Sequence, residues 1–213
     1  MPNRWMITLK VLVHVACLLP LAWLLWQLFG PSSGAGLGAD PTHTVTYFTG
    51  RGTLRILILS LAITPVRRLL PRLAWVIRFR RMLGLYAFVY GSLHLLTYVG
   101  LYAGFSWAAI TDDLSKRPYI WAGVTSWASL LPLALTSTTW SIRKLGKRWQ
   151  MLHRLVYLAA IAGVVHYWWI VKTGVRSPLP ITLALAVLLL ARPVLSEVQA
   201  RRKGRVVAGA AAL

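Results

Sequence analysis

Residues 82–103 read MLGLYAFVYGSLHLLTYVGLYA, an unbroken run without a charged side chain and with one histidine, His94. A run of this length is what an α-helix needs to cross bilayer hydrocarbon, about 20 residues rising ~1.5 Å each. Five more apolar stretches follow the same pattern, at 11–29, 54–70, 119–135, 151–171 and 180–195. Together they predict an all-α fold, a polytopic membrane bundle of about six transmembrane helices. Composition agrees, because 57% hydrophobic and 13% charged residues with a mean hydropathy of +0.62 lie outside the range of soluble domains.

The opposing fact is a net charge of +20, from 24 Lys and Arg against four acids, which in a soluble chain would point to nucleic acid. Its distribution points elsewhere. With the N-terminus in the cytoplasm, Arg4, Lys10, Arg67, Arg68, Arg72, Arg78, Arg80, Arg81, Arg143, Lys144, Lys147, Arg148, Arg154, Arg192, Arg201, Arg202, Lys203 and Arg205 all lie inside. Only Arg51, Arg55, Lys116, Arg117, Lys172 and Arg176 lie outside, together with Asp40, Asp112 and Asp113. This is the positive-inside pattern of an inner-membrane protein with both termini cytoplasmic. Membrane lipid headgroups are the expected counter-charge, and nucleic acid is not an expected partner.

Cys17 stands alone, so no intramolecular disulfide and no CxxC metal or haem-attachment motif is available. Small residues at 32–39 follow the first stretch as in a cleaved signal peptide, but an apolar length of ~19 residues favours a retained helix. Residues 30–52, rich in Gly, Ser and Pro, are expected to form the longest outside loop, and residues 201–213 a disordered tail.

Chemistry is then sought inside the membrane, where ionisable residues are rare. His43 falls in the outside loop and His14 in the first stretch, positions that suit bonds to backbone or headgroups. His94, His153 and His166 lie instead among aromatic and aliphatic residues with no nearby acid. Without carboxylates there is no His–Asp/Glu proton relay and no oxygen-ligand site for a hard cation, whereas imidazoles in apolar surroundings suit haem iron.

Depth refines the choice. The third and fifth stretches both enter from the inside, near Arg81 and His153, and ~1.5 Å per residue brings His94 and His166 to a similar depth towards the outer face. His153 stays near the inner face, level with Arg80 and Arg81. On one ideal helix, at ~100° per residue, His153 and His166 would point about 140° apart, so they need not serve the same neighbour.

Gly50-Arg51-Gly52, Thr64-Pro65-Val66-Arg67-Arg68, Arg80-Arg81-Met82-Leu83-Gly84-Leu85, His94, Thr136-Ser137, Trp149 to His153 and His166 resemble the MsrQ (YedZ) family of the ferric-reductase-like transmembrane superfamily, over nearly the whole chain. The resemblance implies one transmembrane haem domain over residues 1–200 and a haem b electron-transfer subunit rather than a catalytic one. The implied partner is a periplasmic molybdopterin methionine sulfoxide reductase, MsrP, and the implied role is repair of oxidised periplasmic proteins. His94, His153 and His166 carry over as haem ligands.

The wider superfamily holds two haems on two pairs of spaced histidines. Here the fourth position is Arg80 or Arg81, which cannot readily lose a proton and so cannot ligate iron, though it can pair with a haem propionate. One haem is expected, with a second left short of a ligand. No GxGxxG follows a strand, so electrons are expected from quinol or a separate cytosolic flavin reductase. FMN belongs with the family, but no residue here marks its pocket. A self-standing ferric or quinone reductase, and a proton- or metal-coupled transporter, are the alternatives.

Overall fold

The computed structural model describes residues 4–31, 36–171 and 178–210. Nine α-helices lie among them: α1 (Arg4–Phe29), α2 (Pro41–Leu69), α3 (Ile77–Thr97), α4 (Trp107–Lys116), α5 (Pro118–Leu135), α6 (Thr139–Leu145), α7 (Lys147–Leu152), α8 (Leu155–Ile170) and α9 (Leu179–Ala210). A 3-10 segment, Pro71–Val76, leads into α3, and a π-helical turn, Tyr98–Tyr102, continues it. No strand occurs among the described residues, and the fold is the expected all-α bundle.

All six apolar stretches fall on helices. Three spans are long and apolar enough to cross a membrane unaided: Arg4–Phe29, Pro71–Tyr102 and Leu179–Val198. The pair α5 and α6, bent by 93°, makes a fourth if it is taken as one broken span. The other two stretches fall short of this test for visible reasons, since α2 carries Arg51 and Arg55 in its length and α8 has 16 residues. Outward faces are apolar, as lipid requires: Leu19, Trp26 and Phe29 on α1 and Leu183, Val187 and Leu190 on α9 are all exposed.

The centre is built where α2 packs on α3 and α9, and α5 on α8. Leu57, Leu61, Ala87, Leu130, Ala159, Ala160 and Leu185 form its buried cluster. Ala159, Ala160 and Gly163 keep the inner face of α8 small, so α5 approaches closely enough for the Ser126 hydroxyl to donate to the Ala159 carbonyl at 2.8 Å. Tyr90, 2% exposed, donates to the Cys17 carbonyl at 2.9 Å and so ties α3 to α1. On α9, Arg192 Nη2 donates to the Leu61 carbonyl at 2.9 Å and Nη1 to the Tyr157 hydroxyl, so one guanidinium fastens α9 to both α2 and α8.

Two expectations change. The 30–52 segment is not loop throughout, because α2 starts at Pro41: Asp40 caps it by accepting from the His43 N–H at 2.9 Å, and Pro41 supplies a preset first turn. His43 therefore sits on the first turn of α2; residues 32–35 lie outside the described residues. Nor is 151–171 one helix. It breaks at His153 and Arg154, between α7 and α8, so the angle drawn along an ideal helix does not apply. Of the stretch 201–213, α9 continues through Ala210, and 211–213 lie outside the described residues.

Candidate functional site

A cavity of about 640 Å³ opens between α2, α3, α5 and α8, with His94 and His166 in its wall. That volume lies within the ~300–1,000 Å³ typical of cofactor pockets. Leu54, Leu95, Ile120, Val124, Trp127 and Ile170 supply much of the apolar lining. The rim is polar and basic, with His43, Arg51 and Arg117 beside Tyr47, Tyr98, Tyr102 and Tyr119. Tyr98 and Tyr102 reach it from the π-helical turn, a local widening of the helix of the kind that recurs at functional sites.

The two imidazoles stand close together in the cavity wall, with ring centroids 6.0 Å apart and planes at 83°. Each is fixed by its Nδ1–H. His94 donates to the Thr46 carbonyl at 2.9 Å, and His166 to the Tyr119 carbonyl at 2.6 Å. A carbonyl only accepts, so the proton sits on Nδ1 in both rings and Nε2 keeps its lone pair. Nδ1–H to backbone oxygen is the arrangement by which proteins orient a metal-ligating histidine. Two metal–imidazole bonds of about 2 Å, extended by the two ring half-widths, put centroids about 6 Å apart. The pair and the apolar cleft between them therefore fit a flat, iron-centred group held from both faces.

Glycines make room for both rings. A Cβ on Gly50 would stand 2.9 Å from His94 Cε1, and one on Gly123 would stand 2.8 Å from His166 Cε1. These approaches are closer than side-chain atoms tolerate, so each imidazole is seated against bare backbone of the helix behind it.

Of the remaining histidines, His43 stands at the cavity rim, while His153 and His14 lie elsewhere. His153 caps α7 and stacks on Trp149, with centroids 3.8 Å apart, while its Nδ1–H donates to the Trp149 carbonyl at 3.0 Å. Trp149 is fixed in turn by its indole N–H, which donates to the Thr136 carbonyl at 2.9 Å. His153 is not part of the cavity wall. Arg80 reaches from α3 to the Thr64 hydroxyl at 3.2 Å, its carbonyl accepts from Ser60 at 3.0 Å, and Arg81 is exposed. His14 bonds the Tyr86 hydroxyl at 2.7 Å. Among the described residues no group of three His, Cys, Asp or Glu side chains could hold a bare metal ion.

Tyr98, Tyr102, Arg51, Arg117, Gly50 and Gly123 are site residues that sequence reading did not single out as such. In the sequence the tyrosines are ordinary aromatic members of an apolar stretch, and the arginines are two of the outside cations. Arg117 stands outside the spans at the start of α5, where Tyr119 and then Asp113 hold its guanidinium above the ordinary arginine value, so it is a fixed cation.

Fold and site together define a class. Residues 45–164 match the family model described as ferric reductase like transmembrane component, and this stretch contains α3, α5 and most of α2 and α8. Over 186 residues the chain is 47% identical to the protein-methionine-sulfoxide reductase heme-binding subunit MsrQ of Xanthomonas euvesicatoria pv. vesicatoria, covering 86% of this chain and 84% of that one. The subunit of the same name in Salmonella arizonae is 46% identical over 190 residues, 88% of this chain and 92% of that one. The chain belongs to the MsrQ family, within the ferric-reductase-like transmembrane proteins.

Proposed function

We propose that this chain is a membrane haem b electron-transfer subunit that passes electrons across the inner membrane to a periplasmic molybdopterin methionine sulfoxide reductase, MsrP. The observation that carries the proposal is the pair His94 and His166, 6.0 Å apart over a cavity of cofactor size, each with Nδ1 tied to backbone. A haem held between them supplies a one-electron carrier whose potential is set by its ligands and surroundings. The chain's own contribution is to orient both Nε2 atoms, keep water out of the apolar part of the cavity and insulate it with the helices around it. The names of the relatives support haem as the group bound.

The cation distribution supports cytoplasmic termini, which turns the rim of Arg51, Arg117 and His43 towards the periplasm and the partner. Electrons are proposed to come from quinol or from a cytosolic flavin reductase, with FMN as a further candidate carrier. One haem is proposed in the cavity. A second would use His153, with Arg80 or Arg81 near its propionates in place of a fourth histidine.

Reoxidation tests the electron path. Membranes holding the chain are reduced, and a periplasmic methionine sulfoxide reductase is added with oxidised protein substrate. The b-type α band is expected to fall faster than in controls lacking either addition. Equal rates with and without the partner would favour a self-standing reductase.

A further inference from the structure

Arg51 is a half-buried cation at the cavity rim for which the described residues provide no anion. Its Nε is buried and has no hydrogen-bond partner. Nη1 donates to the Tyr47 hydroxyl at 2.7 Å, and the guanidinium lies 5.0 Å from the centroid of the Tyr47 ring, contacts that hold the group without neutralising it. The sequence has only four acids, and each is otherwise engaged. Asp40 caps α2, Asp112 pairs with Lys116 at 2.6 Å, Asp113 pairs with Arg117 at 3.3 Å, and Glu197 pairs with Arg201 at 2.7 Å. A buried guanidinium N–H left without an acceptor is costly, and the planar fork it belongs to is shaped for a carboxylate. Arg51 lines the cavity of His94 and His166 and directly follows Gly50, the residue against which the His94 ring is seated.

Resting on the haem reading of that cavity, we infer that Arg51 is the carboxylate anchor of the site: it binds a propionate of the haem and so fixes which edge of the macrocycle faces the basic rim. Arg117, across the rim, is already paired with Asp113 and is exposed, so Arg51 is the cation left for the ligand. The role is one of binding and positioning. A cation paired with a propionate would also offset negative charge on the macrocycle, which would favour the reduced form.

The test separates the carboxylate from the rest of the ligand. Full-length protein produced under haem limitation is titrated in detergent with ferric protoporphyrin IX and, separately, with its dimethyl ester, which has the same ring and iron but no anionic group. Wild type is expected to bind the diacid more tightly than the ester. Arg51→Gln is expected to weaken binding of the diacid about 10- to 100-fold, as for loss of a charge-assisted hydrogen bond, and to leave the ester unchanged. Arg51→Lys, which keeps the charge, is expected to retain part of the preference and guards against a fold defect in the glutamine variant. In holoprotein, Arg51→Gln is expected to shift the midpoint potential negative. No preference of wild type for the diacid, or a preference that survives in Arg51→Gln, would overturn the anchor while leaving the haem site in place. Failure of wild type to bind either porphyrin would overturn the haem reading and the anchor with it.

Discussion

His94→Ala and His166→Ala are each expected to lower haem content, measured per chain as the pyridine haemochrome, by more than about 10-fold. Loss even of an outer partner of a metal-bound histidine commonly costs 10–100-fold in affinity, and here the ligand itself is removed. The two losses should be alike, because both rings stand in the wall of one cavity and no third His, Cys, Asp or Glu groups with them among the described residues. Neither change should unfold the bundle, since each deletes a partly exposed wall residue and not one of the buried central cluster. His43→Ala, on an exposed first turn, should keep full haem content. His153→Ala should keep the cavity haem, because His153 lies outside that wall.

Gly123→Leu should have nearly as large an effect without touching a ligand. Even the Cβ of the new side chain would meet His166 Cε1 at 2.8 Å and Nδ1 at 2.9 Å, with helix backbone on one side and a ring fixed to the Tyr119 carbonyl on the other. The ring is the part that can move, and moving it breaks the Nδ1 bond that presents Nε2 to the cavity. Overpacking of this kind costs about 1–3 kcal/mol, so haem affinity should fall about 10-fold or more. Gly123→Ala should give a smaller fall in the same direction. Titration with ferric protoporphyrin IX measures both, and unchanged affinity in Gly123→Leu would mean that His166 is not held against α5.

The bundle and the pairing of His94 with His166 were legible in the sequence for one physical reason. Hydrocarbon thickness and helix rise act as a ruler, so two residues equally far from cytoplasmic charges reach the same depth. The ruler fails wherever the helix is interrupted. Gly146, at φ 50°, separates α6 from α7, and the turn at His153 and Arg154 separates α7 from α8, so depth counted along 151–171 as one rod says nothing about where the His153 ring points. Asp40 and Pro41 are a legible helix start inside a stretch whose small residues read as loop. Gly50 and Gly123 were invisible for another reason. What a missing Cβ permits depends on the ring that faces it from another helix, and no local pattern reports that. Arg51 and Arg117 read as two of six outside cations, and only the packing of α2, α3, α5 and α8 brings both to one cavity rim.

Low-temperature electron paramagnetic resonance of the oxidised, purified protein tests the central claim most directly. Two neutral imidazoles on one ferric haem give a low-spin centre, and ligand planes close to perpendicular, here 83°, make its g-tensor strongly anisotropic. The predicted result is such a signal, accounting for at least one haem per chain and lost in both His94→Ala and His166→Ala. A high-spin ferric signal alone, or a low-spin signal that survives both replacements, would contradict the assignment of His94 and His166 as the two ligands of one haem.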